Sequence, residues 1–158
     1  MKTQNTSLLR FSLICLILCL GGCAAVKSVL GIKPHTALTQ IRIQALAGAN
    51  LDNGTALDLV FVYDSQLLPQ LPKTGPLWFA TKADLMANHP LTLDVARVRI
   101  APTKFTDITL NASRRKAVAV YTYANFLAPG GQAMGDLTLF SCAQITLSPS
   151  AVIYQSCN

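Results

Sequence analysis

Ala56-Leu57-Asp58-Leu59-Val60-Phe61-Val62-Tyr63 is the stretch on which the fold turns. It is rich in β-branched and aromatic residues, which suit a pleated, packed surface, and no glycine or proline interrupts it. It reads as a strong strand. Asp58 stands between Leu57 and Leu59, so alternation reads it as the solvent face of that strand.

Upstream, Leu38, Gln40, Arg42 and Gln44 interleave with Thr39, Ile41, Ile43 and Ala45, the period of a half-buried strand. Gly48 to Gly54, with Asn50, Asp52 and Asn53 inside it, carries turn chemistry. The two strands are therefore expected to form a hairpin with a long connection. Downstream the character changes. Pro69, Pro72 and Pro76 cut the first part of the segment Asp64 to Asn88, so any helix there is short. Trp78 to Asn88 has helical spacing, with Trp78, Lys82 and Leu85 on one face, and Asn88-His89-Pro90 stops it. Trp78 and Phe79 are expected in the core.

Strands resume over Leu91 to Ile100, broken by Pro102, then over Phe105 to Leu110, Ala117 to Phe126 and Leu137 to Phe140. The C-terminus allows a register test. With a turn at Ser148-Pro149-Ser150-Ala151, Leu147 faces Val152 and Ile145 faces Tyr154, giving one apolar face. The same register puts Cys142 opposite Cys157, close enough for a disulfide. Seven or eight short strands with one helical insertion, and no βαβ alternation, predict a mainly β chain folded as an antiparallel β-sandwich.

At the other end, Leu20-Gly21-Gly22-Cys23 closes an apolar run, Phe11 to Leu20, behind the basic residues Lys2 and Arg10. That run has the length of a secretory h-region, about 7–15 residues, and is short of the roughly 20 needed to span a bilayer. Small residues before a cysteine form a lipobox. Residues 1–22 are expected to be a lipoprotein signal peptide, cleaved before Cys23, which would then carry acyl chains. Residues 23–35 read as the lipidated N-terminus and tether, and 36–158 as the β-sandwich domain. Ala24 follows the cysteine; an aspartate there would favour inner-membrane retention, so outer-membrane lipids, on the periplasmic side, are the expected attachment. Cys15 and Cys19 leave with the leader, and Cys142 and Cys157 are then expected to pair in an oxidising compartment.

Loss of Lys2 and Arg10 takes the formal net charge from +6 to +4. The remaining positives are scattered, apart from Arg114-Arg115-Lys116, which reads as a solvated turn, with contact to acidic lipid headgroups or an acidic partner as a second possibility. There is no basic stripe interleaved with aromatics, so no nucleic acid is expected. The search for chemistry finds no HExxH, no CxxC and no glycine-rich phosphate loop. His35 and His89 read as surface residues. No catalytic residue, metal ligand or cofactor is expected, and the chain is read as non-enzymatic.

These pieces together resemble the TssJ/SciN lipoproteins of type VI secretion. The resemblance rests on the lipobox and tether, on Val60-Phe61-Val62-Tyr63, and on the insertion with Trp78-Phe79 and Leu85. It continues through the strand before Pro102 and Val118-Ala119-Val120-Tyr121-Thr122-Tyr123, covering Thr36 to Phe126. It implies a transthyretin-like sandwich with added helices, anchored by lipid in the outer membrane. It also implies binding to the periplasmic part of an inner-membrane TssM-like protein. The loop between the first two strands would make that contact, which places the docking residues at Ala49, Asn50, Leu51, Asp52 and Asn53. Leu51 is the one large apolar residue among them. The C-terminal cysteine pair is not a general feature of that family. Apart from the resemblance, the residues leave open a lipid-anchored periplasmic binding or inhibitor module, or a pilotin-like lipoprotein of another secretion system.

Overall fold

Eight strands and one α-helix build the domain in the computed structural model, which describes residues 35–157. In chain order the strands are β1 (Gln40–Ala45), β2 (Thr55–Val62), β3 (Leu93–Ile100), β4 (Phe105–Thr109), β5 (Ala119–Ala124), β6 (Gly135–Asp136), β7 (Cys142–Leu147) and β8 (Val152–Ser156). The helix, α1, spans Gly75–Asn88 between β2 and β3. The expected signal peptide, Cys23 and the expected tether up to Pro34 lie outside the described residues. Among those described, no helix is long and apolar enough to cross a membrane.

The strands form two four-stranded sheets, ordered β4-β1-β7-β8 (sheet I) and β3-β2-β5-β6 (sheet II). The expected β-sandwich is present, with one departure from a purely antiparallel pattern: β1 and β7 run parallel, Ile41 beside Ala143 and Ile43 beside Ile145. The hairpin expected from β1 and β2 does not form. β1 pairs with β4 and β7, β2 with β3 and β5, so residues 46–54 carry the chain from one sheet to the other. A nine-residue connection is long for a hairpin, whose loops are usually about 2–5 residues. Reading neighbours in sequence as neighbours in space failed here because both partners of β1 come from much later in the chain.

Between the sheets lies the core: Leu38, Ile41, Ile43, Leu57, Leu59 and Phe61 against Val120, Leu137, Ile145 and Leu147, all 0–1 % exposed. Alternation in β1 is as the sequence predicts, with Ile41, Ile43 and Ala45 inward. β2 is different. Seven of its eight residues are buried. A second apolar layer explains it: α1 and a 3-10 turn over Ser65–Gln70 cover the outer face of sheet II. There Val60 and Val62 meet Leu67, Leu71, Trp78 and Leu93. A strand covered on both faces reads as a near-continuous apolar run, which is what Leu57 to Val62 shows apart from Asp58.

The helix starts three residues before the expected Trp78. Pro76 sits at its first turn, where the missing N–H is no loss and its fixed φ suits the helix. Gly75 opens it because the Ala124 carbonyl lies where a Cβ would go. Leu137 to Phe140 is not the strand expected. It is a turn, closed by Phe140 N–H donating to Leu137 C=O at 3.2 Å, and the strand before it is only Gly135–Asp136. The C-terminal hairpin has the expected register: Leu147 opposite Val152, Ile145 opposite Tyr154. The turn is closed by Ser148 N–H donating to Ala151 C=O at 2.9 Å.

Candidate docking loop and the buried aspartate

The segment from Leu46 to Gly54 is a short, tightly bonded loop. Gly48 has φ 73°, and Asn50, Leu51 and Asp52 follow with φ of 52°, 55° and 61°. Three consecutive L-residues in the left-handed region are costly, about 1–2 kcal/mol each. Asn tolerates the conformation; Leu does not tolerate it well. Such backbone persists only where its surroundings hold it.

Asn50 does most of the holding. It is 2 % exposed. Its Oδ1 accepts from Leu127 N–H at 2.7 Å, its Nδ2 donates to Asn125 C=O at 3.4 Å, and its own N–H donates to Ser148 C=O at 3.1 Å. One side chain thus ties the loop to the segment after β5, and its backbone ties it to the β7–β8 turn. Asn53 closes the turn from the other side, with Nδ2 donating to Leu51 C=O at 2.9 Å.

The five residues expected to dock therefore divide. Ala49 and Asn50 are buried and form the foundation. Leu51, Asp52 and Asn53 are exposed. Leu51 is 61 % exposed and is not folded back onto the sandwich. Leu127, bonded through its N–H to Asn50, is 57 % exposed as well. Sequence reasoning missed Leu127 because it lies 77 residues from Asn50 and no local pattern links the two.

Asp58 overturns its sequence reading. It is 0 % exposed, on the outer face of β2 under α1. Trp78 Nε1–H donates to its Oδ2 at 3.0 Å, Lys82 Nζ to the same oxygen at 2.6 Å, and Arg97 Nε to Oδ1 at 3.1 Å. Burial by itself raises a carboxyl's pKa; the bonds from Lys82, Trp78 and Arg97 outweigh it and hold Asp58 below its ordinary 3.8. Trp78 also stacks on Tyr123, centroids 4.6 Å apart and planes within 5°. Tyr123 donates its hydroxyl to Pro72 C=O at 2.8 Å. Trp78 is core, as expected, while Phe79 is half-buried with Lys82 Nζ 4.4 Å from its ring centroid. The cluster fastens the insertion to the sheet.

Cys142 and Cys157 are joined, their Cα atoms 5.4 Å apart. His35 is exposed and donates from Nδ1 to Lys116 C=O at 2.8 Å; His89 caps the C-terminus of α1. In the basic cluster Arg115 and Lys116 are solvated, as expected. Arg114 is not: it pairs with Asp94 at 2.8 Å and lies over the Phe61 ring. Among the described residues no group of His, Cys, Asp and Glu is placed to hold a metal.

No protein-family model matches the chain, and no curated protein matches it. Solved structures do. The type VI secretion lipoprotein TssJ1 from Pseudomonas aeruginosa superposes with a TM-score of 0.53 at 14 % identity, over 75 % of this chain and 95 % of that one. Serratia marcescens Lip, a membrane-bound component of the type VI secretion system, gives 0.52 at 11 %, over 79 % and 99 %. A chain in the structure described as the TssM C-terminal domain (869-1107) from EAEC gives 0.53 at 11 %, over 74 % and 99 %. The chain is thus a two-sheet sandwich with the fold of the secretion lipoproteins. More particularly, its fold is of the TssJ type that the resemblance implied.

Proposed function

We propose that this chain is a lipid-anchored outer-membrane lipoprotein that docks a type VI secretion membrane complex. It binds the periplasmic part of a TssM-like inner-membrane protein and acts by contact rather than by catalysis. The observation that carries the docking is the loop: a strained left-handed turn, pinned from inside by Asn50, that holds Leu51 in solvent. Rigid presentation lowers the ordering cost of binding, and strained backbone collects at functional positions. The TssJ-type fold supports the choice of secretion system, and the lipobox supports the anchor at Cys23. Several acyl chains hold a protein at a membrane, where one binds only marginally.

Leu51→Asp tests the docking. Affinity for the periplasmic domain of the TssM-like protein from the same genome should fall by about 1–3 kcal/mol, the loss expected for an interface anchor. Thermal stability should move by no more than about 0.5 kcal/mol, as for an exposed residue. Unchanged affinity in the folded variant would move the interface elsewhere, with α1 next in line. The anchor is tested separately by fractionation. Cys23→Ser should leave the outer membrane, and a variant that stays there would refute lipidation.

A further inference from the structure

β3 is an edge strand of sheet II: β2 pairs with one side of it, and among the described residues no strand lies on the other. Such an edge carries a row of unpaired backbone N–H and C=O groups. Alternation along β3 turns Ala96, Val98 and Ile100 into the core and leaves Val95, Arg97 and Arg99 on the outer face. Arg97 and Arg99 are both exposed. Arg97 uses Nε on Asp58 while its side chain stays 52 % exposed, and Arg99 has no ion pair among the described residues. Two residues apart on one face of a strand, the pair is spaced by about 6.6 Å along it.

The surface beside them is hollow. One hollow of about 500 Å³ is lined by Gly54, Thr55, Arg99, Ala101 and Asn125. A second, of about 290 Å³, is lined by Phe79, Lys82, Arg97, Arg99 and Asn125. They share Ala56, Arg99 and Asn125, so one trough runs over the outer face of the sheet from the foot of the docking loop to α1. It holds three cations against Asp58, which is buried and committed to Lys82 and Arg97. Asp84 follows Lys82 by two residues on α1 and so falls on another side of the helix.

We propose that the free edge of β3, with Arg97 and Arg99 on its outer face, receives an extended, carboxylate-bearing segment of the protein docked on Leu51. The inference rests on the docking reading above. Carboxylates at alternate positions of an added strand match the spacing of Arg97 and Arg99, and a guanidinium fork grips a carboxylate through two bonds. A protein segment is indicated, rather than a small anion, because only another backbone satisfies a row of edge amides and carbonyls. Arg99 also lines a hollow with Gly54, where the loop ends, so one partner reaches both the loop and the edge.

The test uses the mature chain with its disulfide intact and the periplasmic domain of the TssM-like protein from the same genome. Arg99→Glu is an exposed change, and unfolding curves establish that the variant is folded. It should weaken binding about tenfold, with Arg99→Lys in between. Raising salt should weaken the wild type more than Arg99→Glu, because a screened attraction has been removed. Amide exchange over Val95 to Arg99 should slow in the complex. Wild-type affinity in Arg99→Glu overturns the proposal, as does unprotected β3 in a complex that Leu51→Asp disrupts; in both cases the docking reading stands. If the domain fails to bind the wild type at all, both readings fall together.

Discussion

Asp58→Asn keeps the shape of a buried side chain and removes its charge, so it isolates what the carboxylate does beneath α1. Trp78 retains an acceptor, since the Asn Oδ1 can replace Oδ2. Lys82, on the same oxygen, keeps only a weaker, neutral acceptor, and Arg97 Nε–H now meets the variant's own N–H₂ group. Removing one member of a fully buried ion pair costs about 3–5 kcal/mol. Here the cost is lower, because the side chain of Arg97 is 52 % exposed and that of Lys82 16 %. Arg97 stays hydrated, and the long stem of Lys82 lets its ammonium swing toward water. The expected loss at pH 7 is about 2–3 kcal/mol, a fall in Tm of roughly 10 °C for a domain of this size. The pH dependence has a definite sign. A carboxyl whose folded pKa lies below its unfolded value stabilises the fold above the unfolded value, near 4. It loses that contribution as pH falls through the folded value. The gap between wild type and Asp58→Asn should therefore be full at pH 7 and shrink below about pH 4. Urea unfolding at pH 7 and pH 3 measures both. A difference under about 0.5 kcal/mol at pH 7, or one that does not change with pH, would refute the view that charged bonds to Asp58 fasten the helix.

Leu51→Gly should hold or raise stability, by up to about 1 kcal/mol, since glycine takes φ 55° without strain, and yet weaken partner binding; a loss of stability in urea would contradict the backbone argument. Asn50→Ala should cost about 1–3 kcal/mol, because it strands Leu127 N–H and forces alanine into the left-handed region; unfolding curves report it, and partner affinity should drop with it. Replacing both Cys142 and Cys157 by Ser opens a cross-link of sequence separation 15 and should cost about 3 kcal/mol on a chain-entropy estimate, read by thermal unfolding. Mass measurement of the wild type without reductant should find no alkylatable thiol at either position.

What the sequence alone determined were the features written in short-range pattern. Period-2 alternation located β1, the apolar run located β2, and proline punctuation bracketed the insertion. The C-terminal register followed from two constraints that agree, an apolar face and a cysteine pair, both within 16 neighbouring residues. The glycines and asparagines of residues 48–54 mark a turn wherever the chain goes next. What tertiary structure decided was which face of an element is covered, and by what. Asp58 obeys the alternation of a solvent-facing residue, and only the arrival of α1 above it, with Trp78 and Lys82, turns that face into an interior. β1 and β2 adjoin in sequence but lie in different sheets, because the pairing of β1 with β4 and β7 depends on contacts some 60 to 100 residues away. The loop between β1 and β2 shows the same division. That it turns was legible in its composition; that Leu51 projects, that Asn50 is buried and that Leu127 is bonded to Asn50 were not. Those facts come from hydrogen bonds closed across 77 residues, and a local pattern carries no information about a partner that far along the chain.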